Sequence, residues 1–151
     1  MLKLKQTTCT HDLMHWRKEV IENVFRLTAD DKLMAANEAY YLKHIAAGTH
    51  IALVAELDGV ACGCGAICLT DELPSPDNPT GRCAYLMNIY VREPFRHKGI
   101  GHRIVEHLIS MAKKHNCRKI YLETTNAGKP LYVSLGFHDM HNMMKYDDTD
   151  H

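Results

Sequence analysis

The spacing of hydrophobic residues changes period several times along the chain, and each change marks an element. Tyr85, Leu86, Met87, Ile89, Tyr90 and Val91 form a nearly unbroken apolar and aromatic run, the pattern of a strand buried on both faces. Pro94 ends it, since proline has no N–H for a ladder. From Ile100 the period becomes helical: Ile104, Val105, Leu108, Ile109, Met111 and Ala112 share one face, and Arg103, Glu106, His107, Ser110 and Lys113 the other. Upstream, residues 2–8 suit a short strand. Asp12 reads as the cap of a helix with Leu13, Trp16, Val20, Ile21, Val24 and Phe25 inward, which leaves His11 outside it. Asp30 or Asp31 opens a second helix through Leu33, Met34, Tyr40, Tyr41, Leu42 and Ile45, closed by Gly48.

His50 to Leu57 and Val60 to Leu69 read as two strands joined by Asp58-Gly59, a strong hairpin signal. Gly63 and Gly65 inside the second imply close approach of another backbone. Lys119 to Thr124 is a further strand, Leu131 to Leu135 a short helix ended by Gly136, and Phe137 onward, with Met140, Met143, Met144 and Tyr146, suggests one or two closing strands. The pattern is that of an α/β fold around a single sheet. Residues 71–82 hold three prolines and no periodicity, so they form an exposed loop. It is either a hairpin connector or a flap whose Asp71, Glu72 and Asp77 favour a cationic substrate.

Composition narrows the classes. A chain of 151 residues suits one domain spanning residues 1–151. Its 18 Lys and Arg balance 18 Asp and Glu, which argues against a general nucleic-acid or membrane-surface binder. The opening MLKLKQTTCT lacks a signal peptide's apolar core, and no run approaches the ~20 residues of a membrane span, so a soluble cytoplasmic protein is expected. Cys62, Cys64 and Cys68 share parity on a strand and read as small buried hydrophobes; paired C-x-x-C spacing and H-E-x-x-H are both absent, and no metal is expected.

Between the central strand and its helix lies Arg96-His97-Lys98-Gly99-Ile100-Gly101. Two glycines at a helix start let the backbone approach a ligand, and the first free N–H groups with the helix dipole favour an anion. The dinucleotide fingerprint needs a third glycine where Ile104 stands, and the Gly-Lys-Ser/Thr of a P-loop is missing. By itself the hexapeptide is also compatible with a glycine-eased loop carrying a solvated basic tip.

The stretch from Ala84 to Asn116 resembles the acyl-CoA-binding signature of the GNAT superfamily of N-acetyltransferases. That signature is a strand ending in an apolar-aromatic-Val triplet, then Arg/Gln-x-x-Gly-x-Gly/Ala opening a helix. Leu131-Tyr132-x-x-x-Gly136-Phe137, after a loop containing Asn126, resembles a second signature of the same family. Together the two cover residues 84–146; the first eighty residues match only in element order. The resemblance implies a single mixed, mostly antiparallel central sheet flanked by helices. It implies that Arg96, His97, Lys98, Gly99, Ile100, Gly101 and His102 meet a CoA pyrophosphate. Main-chain groups of Ile89, Tyr90 and Val91 would pair with the pantetheine arm, and Asn126 and Lys129 join the cofactor-binding set.

Two residues then acquire chemical roles. Tyr132 would be the general acid, since a phenol of pKa ~10 can protonate a departing thiolate of pKa ~8.5. Glu123 is the best carboxylate to deprotonate an amine, or else a structural or substrate-anchoring group, and it resembles the Leu-Glu of ribosomal-protein N-terminal acetyltransferases. Family members that use a Glu early on the central strand have no counterpart here, because Tyr85 occupies that position; Asn88 could orient a water but cannot take a proton. The expectation is an acetyl-CoA-dependent N-acetyltransferase acting on a small amine or peptide N-terminus by direct transfer in a ternary complex. A non-catalytic acyl-CoA-binding sensor or scaffold is the alternative. A zinc-bound domain using Cys62, Cys64 and Cys68 is a third reading, and a homodimer is common in the family.

Overall fold

The computed structural model describes residues 1–148. Five strands form one sheet in the order β1-β2-β3-β4-β5: β1 Leu2–Thr7, β2 His50–Leu57, β3 Val60–Asp71, β4 Arg82–Val91 and β5 Lys119–Tyr121. The first four pair antiparallel and β5 joins β4 in parallel, so the sheet is mixed and mostly antiparallel. Parallel strands need a crossover, and the helix α3, Ile100–Lys114, supplies it after a 3₁₀ turn at Glu93–Phe95. Two helices, α1 Thr10–Asn23 and α2 Asp31–Ala46, precede β2, and a short one, α4 Lys129–Ser134, follows β5.

The helical stripe of α3 covers one face of the sheet. Ile104, Val105 and Leu108 are fully buried there against Leu53, Ile67 and Leu86. Truncating such a residue to alanine costs about 2–5 kcal/mol. The helix lies close because of two glycines: a Cβ at Gly65 would meet Ile104 at 2.7 Å and Ile89 at 2.8 Å, and one at Gly63 would meet the Tyr90 carbonyl at 2.7 Å. Leu13 and Tyr41 pack on the opposite face with Ala52 and Ala66, and Trp16 and Val20 with Cys64 and Tyr90.

Several sequence expectations change: Val24 and Phe25, expected inward on the first helix, lie past its end at Asn23 and are exposed. Helix α1 begins at Thr10 with Cys9 at its cap, so His11 lies inside it, its ring 4.7 Å from that of His15. Cys62 does not share a face with Cys64: a bulge opposite Ala55 and Glu56 turns Cys62 toward α3, while Cys64 faces α1. The last strand stops at Tyr121, leaving Glu123 in the following loop, because β4 and β5 pair at only three positions. Residues 137–148 contain no strand; Met140, Met143, Met144 and Tyr146 are exposed there, and their spacing lacks the two-residue alternation of a half-buried strand.

The connector between β3 and β4 is a tied-down loop rather than a flap. The Glu72 carboxylate accepts from Asn78 Nδ2 at 3.0 Å and pairs with Lys119 at 2.9 Å, which pulls its pKa below the usual carboxylate range. None of its acidic residues lines the large cavity described below. No helix among the described residues is long and apolar enough to cross a membrane.

Candidate active site

The site grows from the divergence of β4 and β5. Their pairing covers only Cys83 to Tyr85 with Lys119 to Tyr121; past that point a bulge bends β4. Asn88 sits at the bulge with φ of 60°, a left-handed conformation that Asn tolerates better than most residues. The gap opens into a cavity of about 790 Å³, walled by α1, α2, the second half of β4, the loop after β5 and α4.

The strand bordering this gap has main-chain groups to offer. The Arg92 N–H donates to Cys62 O on β3 at 2.8 Å, and alternation along the strand turns the main-chain groups of Tyr90 the same way. Val91 therefore faces the opposite edge, and its O accepts there from Arg96 Nε at 2.8 Å. Tyr90 is different from its neighbours: its ring is buried edge-on to Trp16, so its part in the site is to hold β4 against α1.

The loop that follows is built of main-chain donors. Both His97 and Gly99 have positive φ, 64° and 77°. Helix α3 makes its first capping bond from Arg103 N to Gly99 O, so the N–H groups of Ile100, Gly101 and His102 have no helical partner. Nor do those of His97, Lys98 and Gly99 donate to a described backbone carbonyl. Consecutive amides at a helix N-terminus, next to exposed His97 and Lys98, are a donor set that suits an anion. Nothing lies within 4 Å of a Cβ built on Gly99, so the loop is open there. Its donors fit the pyrophosphate of a CoA molecule.

Tyr132 stands on α4 at the cavity wall, 9% exposed, its ring edge-on to Phe137. Burial alone pushes its phenol above the ordinary range, so it holds its proton at neutral pH. Glu123 lines the same cavity from the loop after β5. Tyr85 lies in the field of this carboxylate: burial first, and then the Glu123 charge, raise the Tyr85 pKa. Lys129 is turned away into an ion pair with Asp139 at 2.7 Å, and Asn126 is exposed in the turn before α4.

Among the cavity residues that stand outside the sequence-based site are Arg17, Asn37 and Tyr85. Arg17 Nε donates to Asn37 Oδ1 and Nη1 to Asn88 Oδ1, both at 2.9 Å. Behind the cavity, the Tyr40 hydroxyl bonds to His50 Nδ1 at 2.9 Å, and burial lowers the His50 pKa to about 4. The buried Cys64 thiol is raised to about 12, chiefly by burial, so it remains protonated at neutral pH. Among the described residues, no cluster of three His, Cys, Asp or Glu is arranged to hold a metal ion.

The model of the acetyltransferase (GNAT) family matches residues 13–137, and the chain belongs to that family. Among solved structures, it is similar to a predicted acetyltransferase from Clostridium acetobutylicum, crystallised with acetyl-CoA: TM-score 0.87, 25% identity, covering 97% of this chain and 96% of that one. A GCN5-related N-acetyltransferase from Ralstonia eutropha aligns with a TM-score of 0.79 at 22% identity, over 97% of this chain and 99% of that one. Glucosamine-6-phosphate N-acetyltransferase from Arabidopsis thaliana shares the fold, with a TM-score of 0.70 at 22% identity over 98% and 99% of the two chains. No curated protein sequence matches the chain significantly.

Proposed function

We propose that this protein transfers an acetyl group from acetyl-CoA to a primary amine, on a small molecule or a peptide terminus, in one step within a ternary complex. The observation that carries this reading is the run of amides from His97 to His102 that donate to no described backbone carbonyl, set beside the end of β4, where Val91 O accepts from Arg96. The pyrophosphate lies on those amides and the pantetheine arm runs along Ile89 and Val91, bringing the thioester to the cavity lined by Glu123 and Tyr132. The amine gives up a proton to Glu123, directly or through water, and its lone pair attacks the thioester carbonyl carbon. A main-chain N–H at the splayed edge of β4 stabilises the oxyanion. The oxyanion collapses, the C–S bond breaks and Tyr132 protonates the departing sulfur, while the remaining excess proton on the new amide nitrogen passes through water to restore the Tyr132 hydroxyl.

Acetyl-CoA binding and turnover test this separately. Thermal stability should rise with acetyl-CoA and with free CoA but not with NAD, by an amount that grows as RT ln(1 + [L]/Kd). Thiol release in the presence of a panel of amines should then exceed the rate without acceptor. Stabilisation without amine-dependent thiol release would favour a non-catalytic acyl-CoA sensor; no stabilisation would remove both readings.

A further inference from the structure

We propose that the acceptor carries an anionic group as well as its amine, and that Arg17 binds that group. The proposal rests on the acyltransfer reading for the place of the amine. Among the described residues, two charged side chains line the large cavity, Arg17 from α1 and Glu123 from the loop after β5. A cavity with one cation and one anion on its walls complements a ligand with an ammonium and an anion. Glu123 borders Tyr132, where the amine must arrive; Arg17 marks the position of the anion.

The surroundings of Arg17 are those of a group held ready for a ligand. Its two protein hydrogen bonds go to neutral amide oxygens, Asn37 Oδ1 and Asn88 Oδ1, each at 2.9 Å. The Asn37 amide is locked in that sense, because its Nδ2 donates to Leu33 O at 2.9 Å. Phe25 flanks the guanidinium, its ring centroid 5.5 Å from Cζ. These contacts fix the plane of the fork without neutralising it, and a guanidinium has five N–H donors. Among the described residues none pairs a carboxylate with Arg17.

Arg92 shows what a structural arginine between α1 and β4 looks like in this fold. Its Nε and Nη2 reach both oxygens of Glu19 at 2.9 Å, with Cζ 4.4 Å from the Trp16 ring. That cation is paired; Arg17, on α1 and at the cavity wall, is oriented and left without a carboxylate partner. A carboxylate or a phosphate would each match its free donors bidentately.

The test compares matched amines on the CoA-saturated protein by calorimetry, with thiol release from acetyl-CoA measured in parallel. The twenty amino acids are set against their carboxamides, and O-phosphoethanolamine against ethanolamine. At least one anionic member should bind about ten- to a hundredfold more tightly than its neutral partner, as one or two charge-assisted hydrogen bonds imply. The arm that shows this identifies carboxylate or phosphate. In Arg17→Gln the ratio should collapse to about one, and Arg17→Lys should restore part of it. A wild-type protein that prefers no anionic member overturns the proposal, and that arm does not depend on any variant folding. A preference that survives Arg17→Gln also overturns it. Thiol release without charge preference would leave acyltransfer standing and remove the anion site. Arg17-dependent binding without thiol release would keep the anion site and remove acyltransfer.

Discussion

The loop that opens α3 and the cavity between β4 and β5 adjoin, yet they are made of different material. The loop is seven consecutive residues, Arg96 to His102, whose useful groups are main-chain amides. The cavity draws side chains from α1, α2, β4, the loop after β5 and α4, and what it offers is a guanidinium, a carboxylate and phenols. A backbone site depends on the conformation of the chain and is nearly indifferent to side-chain identity. A side-chain site inverts this: it keeps its shape when one residue changes and loses one chemical role.

Changing the handedness of the loop should break the first region most completely. Gly99 has φ of 77° and nothing within 4 Å of its missing Cβ, so crowding is not the obstacle to a side chain. The obstacles are the left-handed backbone, costing roughly 1–2 kcal/mol for an L-residue, and any negative charge placed among the amides. Gly99→Glu should weaken acetyl-CoA by more than about a hundredfold, or some 2.7 kcal/mol. Calorimetry on the folded variant gives the answer, and unchanged affinity would mean that the amides do not hold the pyrophosphate.

In the cavity, Tyr132→Phe keeps the ring that packs on Phe137 and removes only the hydroxyl. Turnover should fall by about 10²–10³, within the range for a lost general acid, while acetyl-CoA affinity changes by less than about twofold. Equal activity would take the acid role from Tyr132. Glu123→Gln should cost less, about ten- to a hundredfold in kcat/KM. Because a base works only when deprotonated, the wild-type pH–rate profile should carry a rising limb. In the variant that limb should be lost; a superimposable pH profile would transfer the base to another group.

The same contrast explains what could be read from the chain. The loop was legible because its determinants are adjacent: a buried strand, Pro94, two glycines and then a helical period. Most of the sheet was legible too, since Asp58-Gly59 and the runs around it specify a hairpin. Arg17 was not, because it flanks the apolar stripe of α1 as any solvated helix charge would. It becomes a cavity residue held by Asn37 and Asn88, 20 and 71 positions away. Glu123 was read inside a strand and lies beyond its end: the apolar run continues past Tyr121 to Leu122, whereas β4 has already bent away at Asn88. Cys62 failed for a related reason, since one extra residue in a strand reverses the face on which side chains emerge.

The mildest difference between the two regions lies in their response to acid. The cavity is backed by a buried imidazole, His50, 6% exposed and bonded to the Tyr40 hydroxyl. Burial, with a smaller contribution from His44, lowers its pKa from 6.5 to about 4. The unfolded chain therefore takes up a proton near pH 6.5 that the folded chain refuses until about pH 4. The stability associated with neutral His50 is complete above pH 6.5 and is lost as pH falls toward 4, at about 1.4 kcal/mol per unit in between. Unfolding free energy at pH 5.5 should thus lie about 1.4 kcal/mol below its neutral value from this group. His50→Asn should be less stable at neutral pH yet lose that slope. Denaturant titrations of both proteins at pH 7.5 and 5.5 make the comparison. Equal slopes would mean that the imidazole is protonated in place, with the Tyr40 hydroxyl accepting from it rather than donating to it.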